Sequence, residues 1–147
     1  MKIYIDQSGK VEYTSHDTVV AFSNGIRKAI LLKASDKRLL QKRFREAGKG
    51  QIFTYRIFSL LIFLLLKKVR FEELVIDIEY PGRSDLIKNY LLTDLKKTGV
   101  VLDRDKISFR LIGKKCEAHW HAYHVFKGMR KAEKVTNMKE ILNEIFQ

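Results

Sequence analysis

The sequence predicts an α/β protein: a mixed five-stranded sheet in the order 3-2-1-4-5, its second strand antiparallel to the rest, flanked by helices. Three observations carry that expectation. Short β-prone runs fill the first 34 residues, with Asn24-Gly25 between the second and third. From Ser35 onward, segments with a helical apolar period alternate with two further β-prone runs. A strand meander followed by alternating helices and strands packs as a sheet with helices on its faces, and right-handed crossovers set the fourth strand parallel to the first and beside it.

Residues 2–6 (KIYID) alternate as a half-buried strand does, and Gln7 to Gly9 are expected to turn the chain. TVVAFS (18–23) and IRKAILLKA (26–34) read as the next two strands. Asn-Gly between them tolerates the positive φ of a type I′ hairpin turn. Ser35 is expected to cap a helix from Asp36 to Ala47, with Asp36 at its positive end and Gly48 after its last turn. Leu39, Leu40, Phe44 and Ala47 would be its apolar face, and Arg38, Lys42 and Arg45 a basic stripe. A helix over residues 55–69 is apolar nearly all round, so it is expected to be buried on more than one side. ELVIDIEY (73–80) is the best central strand, ended by Pro81-Gly82. Ser84-Asp85 would cap a helix over 85–98 that buries Leu86, Ile87, Tyr90, Leu91 and Leu95. KISFRLI (106–112) is the fifth strand, and helices are expected over 117–127 and 137–146.

No repeat or Pro/Ser linker interrupts the 147 residues, so a single domain, 1–147, is expected. A composition of 46% hydrophobic and 31% charged residues excludes a disordered chain. Lys and Arg number 29 against 17 Asp and Glu, a net charge of +12. Nucleic acid is the first partner this suggests, because phosphates attract a basic surface and counterion release favours the contact. Acidic membrane surfaces and acidic proteins come second. Cys116 stands alone and the N-terminus shows no charged-then-apolar leader, which together point to a cytoplasmic protein. IFSLLIFLLL (57–66) is ten residues, well short of the ~20 a spanning helix needs; a core helix is expected there and no membrane segment.

On this basic chain the placement of three acids matters. If strands one and four are parallel neighbours, their carboxyl ends meet at one sheet edge, where ligands of such sheets bind. Asp6 ends the first strand; Asp77 and Glu79 lie near the end of the fourth, on one face because side chains alternate. Neighbouring strands are ~4.8 Å apart, so like charges there raise one another's pKa or demand a cation. A hard, oxygen-seeking ion such as Mg²⁺ answers that demand. Asp6 before Ser-Gly also suits a plain turn residue, and Glu79 a solvent-facing one. Ser8 suits turn chemistry or a phosphate contact.

GKKCEAHWHAYH follows the fifth strand toward the same edge. Ala118, Ala122, Val125 and Phe126 make a packing face. His119 borders that face, where it can reach the strand ends. Glu117, His121 and His124 share another side, and both histidines are expected at the surface or behind the site. One cysteine among these histidines lacks the paired spacing of a zinc site.

The order of elements, with Asp6 ending strand one and Asp77 in strand four, resembles the ribonuclease H superfamily, which includes Holliday-junction resolvases, transposase cores and the Piwi lobe of Argonaute. Asp77-Ile78-Glu79-Tyr80 is similar to the Asp-x-x-Tyr pattern of the family's fourth strand. Ala118-His119-x-x-Ala122 resembles the Ala-Asp-x-Leu-Ala pattern of its last catalytic helix, with His for Asp as in the Asp-Asp-His sites of Piwi type. IYIDQSG is also similar to nuclease-like families that begin Tyr-Ile-Asp-Glu-Ser-Gly. The topology match covers roughly residues 2–128. It departs from ribonuclease H in the apolar helix near Tyr55, which offers no acid where the family has one; Asp36, one helix earlier, is explained by capping.

The resemblance implies phosphodiester hydrolysis with two Mg²⁺ or Mn²⁺ ions, one activating water and one stabilising the leaving oxygen. On that basis Asp6 would bridge the ions and Asp77 would hold one, with Glu79 as deputy. His119 would complete a site or move protons, as an imidazole titrating near neutrality can. Arg38, Lys42, Arg45, Lys114 and Lys115 would grip the backbone of RNA, DNA or an RNA–DNA hybrid. Junction-cutting relatives imply a homodimer. The alternative is a non-catalytic nucleic-acid-binding module of the same fold.

Overall fold

The computed structural model describes residues 1–146. Its strands are β1 (Lys2–Ser8), β2 (Thr18–Ser23), β3 (Arg27–Leu32), β4 (Glu73–Asp77), β5 (Ile107–Arg110) and β6 (Lys134–Val135). Its α-helices are α1 (Ala34–Glu46), α2 (Phe53–Leu66), α3 (Ser84–Lys97), α4 (Glu117–Phe126) and α5 (Met138–Ile145). The strands form one sheet in the order β5-β4-β1-β2-β3-β6. β2 is antiparallel to both its neighbours, and the β1–β4, β4–β5 and β3–β6 pairs are parallel. This is the expected 3-2-1-4-5 sheet with one strand added, and its topology resembles that of ribonuclease H-like folds.

The added strand, β6, pairs two residues, Lys134 and Val135, with Ile30 and Leu31. A two-residue strand carries no alternation that a sequence pattern can reveal. β1 also differs from expectation. Gln7 and Ser8 do not turn the chain; they pair with Val20 and Val19 of β2. The bend falls at Gly9, whose φ is +76°, and a Cβ built there would lie 2.2 Å from the Asp17 carbonyl oxygen and 2.4 Å from a ring carbon of Phe126. Only glycine suits both that backbone conformation and that contact.

The alternation of β1 divides the molecule into two layers. Ile3 and Ile5 face the larger core, with Val20, Phe22, Ile30, Leu32, Leu74 and Ile76 from the neighbouring strands. α2 lies over them, with every residue from Ile57 to Leu66 buried. Its side chains are apolar on all sides because the sheet covers one side and α3 packs on another. Arg56 of α2 and Asp94 of α3 form a bidentate pair at 2.8 and 3.0 Å, with Asp94 almost fully buried. On the opposite face, Ala122 and Val125 of α4 pack on Val19, Ala21 and Ala29.

Helix α1 corrects two expectations. Its buried residues are Lys37, Leu40 and Phe44, while Leu39 is 48% exposed and Ala47 is exposed. A lysine therefore occupies the core stripe; its ammonium donates to the Lys10 and Tyr13 carbonyls and to the Thr18 hydroxyl, at 3.2, 2.8 and 2.9 Å. Nor does Ser35 cap the helix. The helix begins at Ala34, and Asp17 Oδ1 accepts the Ala34 N–H at 2.8 Å, a cap delivered from the β1–β2 loop. Ser84 likewise lies inside α3 rather than before it, without a side-chain cap. At α5, Asn137 accepts from the Glu140 N–H at 2.8 Å. Among the described residues no helix is long and apolar enough to cross a membrane.

Candidate metal centre

The parallel ladder between β1 and β4 runs from Lys2↔Glu73 to Ile5↔Ile76 and stops there. The next residue on each strand is an aspartate. Asp6 is paired with Ala21 of β2 and so points to the face that α4 covers. Asp77 is paired with Arg110 of β5, and its Oδ1 accepts the Ile112 N–H at 2.8 Å. Glu79 follows in the bend after β4. Asp6, Asp77 and Glu79 each offer an oxygen such that all three lie within 4.8 Å of one another. Together with Gln7, Leu111, Gly113, Lys114 and His119 they line a cleft of about 420 Å³.

The electrostatics of the group follow from burial and crowding. Burial raises the pKa of Glu79 to about 9, aided by its hydrogen bonds to Asp77 and Asp6 and by their charges. Burial also raises Asp6, with the charge of Asp77 adding to it. The Gln7 N–H, donating to Asp6 Oδ1 at 2.7 Å, opposes that rise. Without a cation, the cluster holds a proton on Glu79 at neutral pH. Its glutamate is thus a member of the cluster, where the sequence favours a solvent-facing side chain over a ligand.

His119 reaches the cluster from α4, its Nδ1 3.0 Å from Asp6 Oδ2. The start of α4 is held by Ser23 at the end of β2, whose hydroxyl accepts the Ala118 N–H at 3.1 Å. Lys114 lines the cleft and Lys115 is exposed beside it. Ser8 is half-buried on the same face as Asp6, two residues further along β1. Arg38, Lys42 and Arg45 lie exposed on α1 and do not line the cleft. Arg38 donates to the Thr14 carbonyl at 2.8 Å, and Arg45 borders a separate shallow depression with Gly48, Gly50 and Gln51.

Three supporting groups have roles the sequence reading does not assign. Tyr80 is buried, and its hydroxyl meets Gln7 Nε2 at 3.1 Å, Glu12 Oε1 at 3.2 Å and the Val11 N–H at 3.3 Å. Burial pushes its phenol well above the usual range. Lys10 bridges the same two segments, donating to the Glu79 carbonyl at 3.2 Å. The β1–β2 loop is thereby tied to the stretch that carries Glu79. His121 is not at the surface: it is buried, with Nε2 2.7 Å from Glu133 Oε1. That same oxygen accepts the Ala29 N–H at 2.7 Å, which joins α4 to β3. Arg130 donates to His121 Nδ1, so Nε2 carries the ring proton. The local sequence around these residues gives no signal for such long-range partners.

What the arrangement offers chemically is an all-oxygen donor set at a sheet edge, with an imidazole on one of its oxygens and a lysine at its rim. Compared with protein-family models, with curated proteins and with solved structures, the chain matches none, so its fold and this cluster are the observations from which its function is argued.

Proposed function

We propose that this chain is a nuclease of the ribonuclease H-like type that hydrolyses phosphodiester bonds with bound Mg²⁺ or Mn²⁺. One observation carries the reading: Asp6, Asp77 and Glu79 meet at the carboxyl ends of two adjacent parallel strands on a protein with a net charge of +12. The set fits a hard divalent ion because its donors are all carboxylate oxygens and because their crowding otherwise requires a proton on Glu79. Asp6, Asp77 and Glu79 would hold the metal, which when bound supplies Lewis-acid stabilisation of charge at the phosphate and a more acidic water.

The remaining work falls to the chain itself. Lys114 at the rim attracts the phosphate backbone toward the acids. The Gln7 N–H and His119 fix the orientation of the Asp6 carboxylate. His119 is placed to hold a proton at Asp6 Oδ2 and to pass it on. Tyr80, Gln7 and Lys10 keep the Glu79 segment against the end of β1.

The test combines melting with cleavage. Mn²⁺ should raise the melting temperature of the full chain, since a ligand at a hundred times its Kd adds about 2.7 kcal/mol. Asp6→Asn should abolish that rise. Labelled RNA, DNA, hybrid and four-way junction substrates should show cleavage by the parent with Mn²⁺ and none by Asp6→Asn or Asp77→Asn. A parent protein with neither a Mn²⁺ shift nor cleavage overturns the reading and leaves a nucleic-acid-binding module.

A further inference from the structure

Trp120 is the chain's sole tryptophan, and it is on the surface beside the acids, 39% exposed. It follows His119 on α4, and the two rings lie edge to face with centroids 5.0 Å apart. The indole is held in place: its N–H donates to the Lys114 carbonyl at 2.6 Å, which ties the ring to the loop at the rim of the cleft. Tyr123, equally exposed, lies 6.1 Å away, and the His124 ring stacks against the indole at 5.8 Å. Lys127 places its ammonium 5.8 Å from the Tyr123 ring centroid. On the loop after β5, Leu111 lines the cleft while 82% exposed.

The packing of α4 does not account for this surface. Ala118, His121, Ala122 and Val125 are the residues of α4 buried in the fold. The outward face instead presents Trp120, locked in orientation by a hydrogen bond and backed on one face by His124, with the Tyr123 ring at 87° to it, between the lysines at 114 and 127. An exposed ring with a fixed plane and flanking cations is suited to a partner that is itself flat, apolar on its faces and anionic at its edge. An unpaired nucleotide is such a partner. Base–aromatic stacking tolerates any sequence, since every base has a π-face, and the lysines draw the phosphates. In a continuous duplex each base face is covered by its neighbours, so the rings would have nothing to receive.

We propose that the open face of Trp120, with Tyr123 standing at right angles as its edge, is a stacking platform for unpaired bases, and that the strand this site takes is single-stranded, or locally unpaired, next to the phosphate presented to the acids. The inference rests on the nuclease reading for the phosphate's place but not for the stacking itself. It narrows the substrate from nucleic acid in general to strands with free base faces.

Because the tryptophan is unique, its emission reports the platform directly. The full chain in EDTA is titrated with oligo-dT of about twelve nucleotides, with a duplex of the same length, and with polyphosphate. Oligo-dT should quench the emission; duplex and polyphosphate should bind without quenching. By fluorescence anisotropy, Trp120→Ala should weaken oligo-dT binding about tenfold while leaving duplex affinity within about twofold. Trp120→Phe should keep most of the affinity for the single strand, which separates loss of a ring from loss of the fold. Equal quenching by all three probes overturns the proposal, as does no quenching at all. Unchanged oligo-dT affinity in Trp120→Ala, or emission that shifts with protein concentration alone, also overturns it. EDTA keeps the two readings apart. Quenching retained in Asp6→Asn, with no cleavage by the parent under Mn²⁺, supports the platform and removes the nuclease. Duplex cleavage that Trp120→Ala leaves unaltered does the reverse.

Discussion

Asp6 Oδ2 and His119 Nδ1, 113 positions apart in the chain, lie 3.0 Å from one another. The contact joins β1 to α4 across the face of the sheet that carries the acids. It also assigns the two residues different work: Asp6 belongs to the tight carboxylate group, whereas His119 touches that group through Asp6. His119→Ala should therefore remove one partly exposed charge-assisted bond, costing about 1 kcal/mol, or about 2–4 °C of melting temperature without metal. The Mn²⁺-induced rise should survive, because the three carboxylates remain, while cleavage falls by about a hundredfold or more. If the Mn²⁺ rise vanishes in this variant, His119 is a ligand instead.

Glu79 makes metal-free stability depend on pH. Its pKa is raised from 4.5 to about 9, so between those values the folded state holds a proton that the unfolded state has released. The stabilisation is complete below about pH 4.5 and is lost as pH rises through about 9. Melting temperatures in EDTA should fall across that interval, and Glu79→Gln, which keeps a neutral side chain throughout, should flatten the fall. Mn²⁺ affinity should climb over the same range, because binding must displace the proton. Parallel melting curves for parent and variant would remove Glu79 as the group responsible.

Lys37 holds the β1–β2 loop from beneath through three acceptors. Lys37→Met keeps the length of the stem but leaves two carbonyls and a hydroxyl without their donor, at a cost of about 2–3 kcal/mol. Urea unfolding measures the loss. Limited proteolysis should find the loop between Gly9 and Asp17 cut sooner in the variant. Cutting at an unchanged rate would show that Tyr80, Lys10, Arg38 and Asp17 hold the loop without Lys37.

The Arg56–Asp94 pair crosses between α2 and α3 with Asp94 1% exposed. Asp94→Ala strands a guanidinium in a poorly solvated place, so about 3–5 kcal/mol of stability should be lost in urea titrations. Replacing both residues together, as Arg56→Met with Asp94→Leu, should cost less than the single change. A double variant that is weaker than Asp94→Ala would assign the pair a positive role in holding the two helices.

The sheet was legible because its strands are short β-prone runs, plainly alternating only at residues 2–6, separated by strong punctuation. The β1–β4 adjacency follows from crossover handedness, and with it the meeting of Asp6 and Asp77. What escaped the sequence has a common physical cause. Lys37, Asp94 and His121 are polar residues on buried helix faces, satisfied by partners far away in the chain. Hydropathy reads each as an outward residue, because a single sequence does not record which distant acceptor waits beneath it. The caps failed likewise: Asp17, seventeen positions before Ala34, does what Ser35 was expected to do. Trp120 and Tyr123 fall off the packing face of Ala118, Ala122, Val125 and Phe126, and both are exposed, but that spacing does not say what their rings meet.

Gly9 joins the end of β1, the approach to β2 and the last turn of α4 at a point with no space for one methyl group. The strand bearing Asp6 and the helix bearing His119 thus share a root that packing has already closed. On the proposed nuclease reading, a strand entering the cleft would meet acids and an imidazole whose spacing is set at that root. A lone added carbon here would force Phe126 or the Asp17 carbonyl aside, moving the root of α4 against the end of β1 while every acid and the imidazole stay in the chain.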